Sequence, residues 1–244
     1  MLKKILLDLI FPRYCLGCEK EMASKQSMLV CDACFGKIAL NSGVQCHICG
    51  SRISVPEGHK KCYKKTPLRG LFAASQYENP ILKEMIRQFK YQSIESLKKP
   101  LAELVIAYVA KEFLIDKLSN SVLVPIPLTL KRKINRGFNQ SELLAKEIGK
   151  FLNCPVINLL KRKKFTSPQA EISDWQQRKE NISGAFCLSP KLSILRIDSF
   201  GDLRNMKVVL VDDVSTSGAT LEEAAMVLKQ AGIKEIYGLV VAKG

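Results

Sequence analysis

The chain has 244 residues, enough for one domain of ordinary size with a smaller module attached. Its 47% hydrophobic and 25% charged residues are typical of a globular protein and exclude a disordered chain. The net charge is +15. A basic surface of this kind favours a phosphate-rich partner or nucleic acid, although solubility alone also explains a basic composition.

Residues 1–11 are mostly apolar and contain two early lysines, as a signal peptide does. Asp8 interrupts the apolar run and no small-residue cleavage site follows, so we predict a short amphipathic helix that packs on its own domain. The sequence contains no run of about 18 uncharged apolar residues, and a transmembrane helix is not expected. We therefore expect a cytoplasmic protein without stable membrane insertion.

The N-terminal quarter is rich in cysteine. Cys15-x2-Cys18 is followed by Cys31-x2-Cys34, a spacing that lets two short knuckles present four thiolates to one tetrahedral zinc ion. Disulfide bonds are the alternative, but an intracellular chain keeps its thiols reduced. This set predicts a structural zinc site.

A second cysteine set follows the first. Cys46-x2-Cys49 precedes His59-x2-Cys62, so an imidazole in place of one thiolate would complete a Cys3His zinc site. Two interpretations of His59 stay open: it is a ligand, or it is a surface histidine beside a degraded site. His47 is a poor alternative because it lies between two ligands of the same knuckle. We expect one or two zinc ions that supply folding energy to a loop-rich segment.

Beyond residue 68 apolar strand-like runs alternate with helical patterns, which predicts an α/β fold with a parallel sheet. We accordingly expect a zinc-binding module over residues 1–68 and an α/β domain over residues 69–244. The predicted strands are 71–77, 122–126, 156–160, 207–212 and 236–242. The predicted helices are 80–89, 97–118, 141–152 and 218–231.

The segment 208–220 joins the clearest strand to the last predicted helix. Two acids, Asp212 and Asp213, end the apolar run, and a stretch rich in serine, threonine and glycine follows. Ligands of parallel sheets bind beyond the carboxyl ends of strands. There the backbone N–H groups and hydroxyls of residues 215–220 would bind a phosphate at a helix N-terminus, while the acids accept hydrogen bonds from sugar hydroxyls. The pattern predicts a site for a phosphorylated ribose.

This segment closely resembles the phosphoribosyl-pyrophosphate (PRPP) motif of type I phosphoribosyltransferases. Two further stretches resemble the ComF family: Val124–Leu128 followed by Arg136-Gly137-Phe138-Asn139-Gln140, and Thr166-x2-Gln169 followed by Arg178-x2-Asn181-x2-Gly184-Ala185-Phe186. The leading zinc module resembles that family as well, and the likeness covers nearly the whole chain. Residues 69–244 are thereby identified as a phosphoribosyltransferase domain behind a zinc-ribbon-like module.

The resemblance implies specific roles for site residues. Asp212 and Asp213 would be the catalytic pair on the ribose 2- and 3-hydroxyls, and the turn after Val124 would be the pyrophosphate loop. Mg²⁺ would bind mainly through the pyrophosphate of the ligand. Residues 161–178 would form a hood over the site. The implied PRPP-binding residues are Val211, Asp212, Asp213, Val214, Ser215, Thr216, Ser217, Gly218, Ala219, Thr220, Pro125, Ile126, Pro127, Arg132 and Arg136.

The resemblance leaves two functional hypotheses open. One is a PRPP-dependent transferase of nucleotide metabolism or salvage with an unknown acceptor. The other is a competence protein that helps single-stranded DNA into the cytoplasm, with a ComFA-type helicase as a partner at the inner face of the membrane. The basic clusters around residues 131–136 and 161–164 would then hold the phosphate backbone. The two hypotheses are compatible.

Overall fold

The computed structural model of the protein describes residues 13–22, 29–53, 62, 66–164, 175–190 and 205–244. Its strands are β1 (Val44–Gln45), β2 (Arg52–Ile53), β3 (Gly70–Gln76), β4 (Ser121–Pro125), β5 (Leu160–Arg162), β6 (Phe186–Leu188), β7 (Lys207–Ser215) and β8 (Glu235–Lys243). Its helices are α1 (Asp32–Phe35), α2 (Pro80–Tyr91), α3 (Lys98–Lys111), α4 (Ile115–Leu118), α5 (Leu130–Arg136), α6 (Gln140–Leu152), α7 (Trp175–Ile182) and α8 (Ala219–Gln230).

A six-stranded mixed sheet forms the centre, in the order β2-β1-β3-β8-β7-β4. Strands β3, β8, β7 and β4 run parallel to one another, whereas β1 and β2 are antiparallel. The long apolar strand β7 lies between two parallel neighbours, as its continuous run of valines and leucine favours. The predicted parallel α/β fold is confirmed.

The side chains of β7 alternate between two hydrophobic cores on opposite faces of the sheet. Val209 and Val211 face the core formed with α2, α3 and α6, whereas Val208 and Leu210 face the core formed with α8. Helices therefore cover both faces, and the carboxyl end of β7 is the place where polar groups from several elements can meet.

Three predicted elements differ from the structure. The helix predicted over 97–118 is broken into α3 and α4 around Phe113, which adopts a left-handed conformation with φ +53°. The strand predicted over 156–160 is reduced to a bridge between Val156 and Leu123, and β5 begins only at Leu160. Strand β7 runs three residues past Asp212, because its backbone continues to pair with β8 as far as Ser215.

The predicted boundary between residues 68 and 69 stays a prediction, since strands from both sides of it share one sheet. Gln45 of β1 pairs with Leu71 of β3, so the hairpin of the second cysteine knuckle extends the central sheet. The helix predicted over residues 1–11 lies outside the described residues. Among the described helices, none is both long enough and apolar enough to cross a bilayer.

Candidate functional site

The two adjacent acids lie near the carboxyl end of β7, held by different elements. The Asp212 carboxylate accepts hydrogen bonds from Ser141 Oγ of α6 at 2.8 Å and from the Asp213 backbone N–H at 2.9 Å. Asp213 Oδ1 lies 2.7 Å from Nζ of Lys90, at the end of α2. Lys90 and Ser141 were not identified from the sequence, and their position shows that three elements converge on the acids.

The two acids have different neighbours, and the pKa of Asp212 is shifted strongly. Burial and the neighbouring Asp213 charge raise the pKa of Asp212 to about 7, and Lys90 and Ser141 only partly offset them. Burial alone would lower the pKa of Lys90, but the Asp213 carboxylate raises it above its ordinary value. Near neutral pH the protonated and ionised forms of Asp212 are therefore both populated, beside the Lys90–Asp213 ion pair.

Basic side chains line the same cleft as the acids. Arg132 and Arg136 of α5 line it with Arg162 of β5, which the sequence analysis placed in the hood. Burial and the nearby Arg132 lower the pKa of Arg162 to about 10. Three guanidinium groups and Lys90 thus face two carboxylates, and this positive excess favours a polyanionic ligand. The complete lining comprises Lys90, Tyr91, Ile126, Leu128, Arg132, Arg136, Gln140, Ser141, Arg162, Asp212, Asp213, Val214 and Thr220.

The turn after β4 is fastened to the end of β7. The Ile126 N–H donates to the Val211 carbonyl at 3.0 Å, and Asn139 Nδ2 donates to the Ile126 carbonyl at 3.0 Å. Thr129 caps α5 by accepting a hydrogen bond from the Arg132 N–H. Pro125 ends β4, Pro127 follows in the turn, and the predicted pyrophosphate loop therefore lies beside the acids.

The Arg-Gly-Phe-Asn-Gln motif connects α5 to α6. Gly137 ends α5 with φ +76°, a conformation that glycine adopts without strain. Phe138 packs on Phe89 of α2 at a ring-centroid distance of 5.4 Å, and Asn139 caps α6 through the Ser141 N–H. Arg136 donates to Gln140 Oε1 at 3.1 Å. The motif thereby places Arg136 over the cleft and Ser141 against Asp212.

The loop between β7 and α8, residues 216–218, is hereafter the β7–α8 loop. Gly218 precedes α8 with φ +77°, and Ser217 Oγ accepts a hydrogen bond from the Ala219 N–H at 3.4 Å. Ser215 Oγ is buried and has no hydrogen-bond partner within the part of the chain that the structure describes. Of the predicted PRPP-binding residues in the segment 211–220, Asp212, Asp213, Val214 and Thr220 line the cleft, whereas Val211 is buried in the core.

The first cysteine set forms one cluster. The sulfur atoms of Cys15, Cys18, Cys31 and Cys34 all lie within 4.8 Å of one another, as tetrahedral thiolate coordination requires. Cys31 directly precedes α1, which brings Cys34 back to the cluster in one helical turn. These four residues fit a structural zinc ion.

The second set brings Cys46, Cys49 and Cys62 equally close. His59, the predicted fourth ligand, lies outside the described residues. His47 is directed elsewhere: its Nε2 lies 3.2 Å from Thr66 Oγ1, and burial lowers its pKa to about 4. The three thiols fit a second structural zinc ion, and His59 stays a predicted ligand.

Two family models match parts of this chain. A family model described as "Double zinc ribbon domain" matches residues 6–64, and one described as "Phosphoribosyl transferase domain" matches residues 99–244. The second match spans more than half of the chain, and the first covers both cysteine clusters.

Several curated proteins are similar along most of their length. Competence protein F of Haemophilus influenzae is 31% identical over 91% of this chain and 93% of its own. DNA utilization protein YhgH of Salmonella typhimurium is 28% identical over 92% and 94%. Competence protein ComFC of Bacillus subtilis is 28% identical over 89% of each.

Among solved structures, a purine phosphoribosyltransferase from Pyrococcus horikoshii matches with 19% identity and a TM-score of 0.31. The match covers 59% of this chain and 83% of that one. A likeness at this level carries no argument about substrate.

Proposed function

Because the chain belongs to the ComF family of phosphoribosyltransferase-domain proteins with an N-terminal double zinc ribbon, we propose that it binds Mg-PRPP in the β7 cleft and acts in DNA uptake. The observation that carries the PRPP proposal is the Asp212–Asp213 pair within a cleft lined by four cationic side chains. Adjacent acids suit the neutral hydroxyls of a sugar, and the surrounding cations suit its phosphates.

Each part of PRPP has suitable partners in the cleft. The carboxylates of Asp212 and Asp213 would accept hydrogen bonds from the ribose 2- and 3-hydroxyls. The 5-phosphate would lie at the β7–α8 loop, where the N-terminus of α8 offers backbone N–H groups and Ser215 offers a hydroxyl. Arg132 and Arg136 would approach the pyrophosphate beside residues 125–127.

The carboxylate oxygens in the cleft also suit a hard cation, and Mg²⁺ needs few protein ligands when a pyrophosphate supplies the others. Bound there, Mg²⁺ would neutralise part of the pyrophosphate charge. The chain itself would orient the ribose through Asp212 and Asp213 and stabilise the departing charge through Arg132, Arg136 and Arg162. The bond from C1 to the pyrophosphate oxygen breaks as the bond from C1 to an acceptor nucleophile forms.

Calorimetric titration of Mg-PRPP tests this proposal. We expect saturable binding by the zinc-loaded protein and at least about a hundredfold weaker binding by Asp212→Asn/Asp213→Asn, because two acceptors for the ribose hydroxyls change at once. The variant Glu103→Gln/Asp116→Asn is a matched control, since it removes two exposed acids on α3 and α4. Absence of binding by the parent protein would refute a PRPP site.

The DNA-uptake part of the proposal rests on the relatives named for competence and DNA utilisation, and on helix α5. No acidic residue occurs between positions 127 and 141, and Lys131 and Lys133 lie exposed on α5, the helix whose Arg132 and Arg136 line the cleft. We expect this helix to contact the phosphates of single-stranded DNA. The same proposal includes a partner protein. A ComFA-type helicase at the inner face of the membrane would deliver the strand.

The salt dependence of single-stranded DNA binding tests the role of α5. Replacing both lysines (Lys131→Gln/Lys133→Gln) removes two phosphate contacts and should reduce the slope of log K against log salt by about 1.4. The control Lys229→Gln/Lys234→Gln removes two exposed lysines, one in the last turn of α8 and one just after that helix, and should leave the slope unchanged. A flat salt response of the parent protein would leave the salvage transferase without a DNA role as the better hypothesis.

A further inference from the structure

The second cysteine knuckle contacts the β7–α8 loop. His47, between Cys46 and Cys49, has its ring edge against Gly218: a Cβ on Gly218 would lie only 3.1 Å from His47 Cδ2. Gly218 is the left-handed residue before α8. A residue from the zinc ribbon thus packs where the loop turns into the helix.

The His47 ring is held in this orientation by a hydrogen bond. Its Nε2 lies 3.2 Å from Thr66 Oγ1, and the same hydroxyl accepts the Leu68 N–H at 3.1 Å, just before β3. The ring is half-buried, and Thr66 is only 7% exposed. The His47 side chain that contacts Gly218 is therefore held in one orientation by its hydrogen bond to Thr66, which is itself bonded to the backbone before β3.

A second connection joins the same two regions independently. Lys243 Nζ, at the end of β8, donates to Gln45 Oε1 of β1 at 3.1 Å. The next residue, Gly244, donates its backbone N–H to the carbonyl of Ser215 at 3.1 Å, and Ser215 is the last residue of β7 before the β7–α8 loop. The knuckle and the loop are thus linked by a side-chain contact at Gly218 and by the end of β8 at Ser215.

From these contacts we propose that His47 is a positioning residue for the β7–α8 loop, so that the second zinc ribbon forms part of the phosphate-binding site. The proposal rests on the proposed PRPP function. Backbone N–H groups bind a phosphate more tightly when their loop is already held in one conformation, because ordering the loop on binding costs affinity. The ring of His47 limits the movement of Gly218 and so holds those groups at the N-terminus of α8.

The proposal makes a selective prediction. His47→Ala leaves all the cysteine ligands in place but opens the space beside Gly218, so the 5-phosphate end of the site should loosen. The pyrophosphate end, lined by Arg132 and Arg136, does not contact His47 and should keep its affinity. A general loss of structure would weaken both ends equally.

Two measurements test this, with zinc content determined for every variant. Amide hydrogen exchange of residues 215–220 in the ligand-free protein should accelerate about tenfold in His47→Ala. Affinity for ribose 5-phosphate should fall about tenfold, while affinity for Mg-pyrophosphate stays unchanged. The matched control is Ile48→Ala, which removes an exposed side chain from the same knuckle.

Two further variants separate positioning from folding. His47→Gln places an amide nitrogen near the original Nε2 and should recover much of the ribose 5-phosphate affinity. Thr66→Val removes the hydroxyl that orients the ring, together with its hydrogen bond from the Leu68 N–H, and should weaken ribose 5-phosphate binding in the same direction while leaving the knuckle residues in place.

Unchanged exchange of residues 215–220 in His47→Ala would overturn the proposal, and so would equal losses of ribose 5-phosphate and pyrophosphate affinity. If the parent protein binds neither compound, the proposed PRPP function fails. Exchange in the ligand-free protein then still decides the positioning role: acceleration in His47→Ala alone supports it, and equal rates in His47→Ala and Ile48→Ala overturn it.

Discussion

At pH 8 the Asp212→Asn variant should be more stable to unfolding than the parent protein, by up to about 4 kcal/mol. The pKa of Asp212 is raised from 3.8 to about 7 by burial and by the charge of Asp213. Between these values the folded protein binds a proton that the unfolded chain releases. The stability of the parent should therefore fall as pH rises from about 4 to about 7 and then stay level for this group.

Asparagine suits the position because its carbonyl oxygen can still accept hydrogen bonds from Ser141 Oγ and the Asp213 N–H. The measurement is urea unfolding of both proteins at pH 5.5 and pH 8. The stability difference in favour of the variant should be about half as large at pH 5.5 as at pH 8, because pH 5.5 lies midway between the pKa values of the unfolded and folded states. Equal pH dependence in the two proteins would contradict the raised pKa.

The same carboxylate links stability to binding. If Asp212 accepts hydrogen bonds from a ribose, it does so best when ionised, so ligand affinity should rise as pH passes through about 7. The site would then keep a buried charge that reduces stability, as functional sites commonly do. In Asp212→Asn this contribution to the pH dependence of binding should be absent.

The second large effect is expected at Lys90. Lys90→Met should destabilise the fold by about 2–4 kcal/mol at pH 8, because it leaves the Asp213 carboxylate buried without its cation. The two groups lie 2.7 Å apart, and their side chains are 21% and 7% exposed, so solvent compensates little of the loss. Denaturant unfolding of the parent and the variant measures the difference.

A double-mutant cycle separates the ion pair from simple packing. Lys90→Met/Asp213→Asn removes both charges and should recover most of the stability that Lys90→Met loses. Lys83→Met is the matched control on the exposed face of α2 and should change stability by less than about 0.5 kcal/mol. Purely additive losses in the double variant would show that the pair contributes no specific interaction.

Local sequence patterns determined much of this protein. The alternation of apolar runs and helical patterns predicted the parallel α/β fold, because side-chain periodicity reports which face of an element is buried. The cysteine spacings predicted both clusters, because each knuckle is a short local turn that brings two sulfurs together. The acids at the end of β7 and the loop after them were likewise contiguous in sequence.

The partners of those acids depended on the tertiary structure. Ser141 is 71 residues from Asp212 in sequence, and Lys90 and His47 are further residues that no motif connected with the site. They reach it because the sheet order and helix packing bring the ends of separate elements together. Spacing along a chain reports only neighbours within a few turns or strands. The charge balance of the cleft and the pKa of Asp212 depend on distances that only the packed fold establishes. The same is true of the contact between the zinc ribbon and the β7–α8 loop.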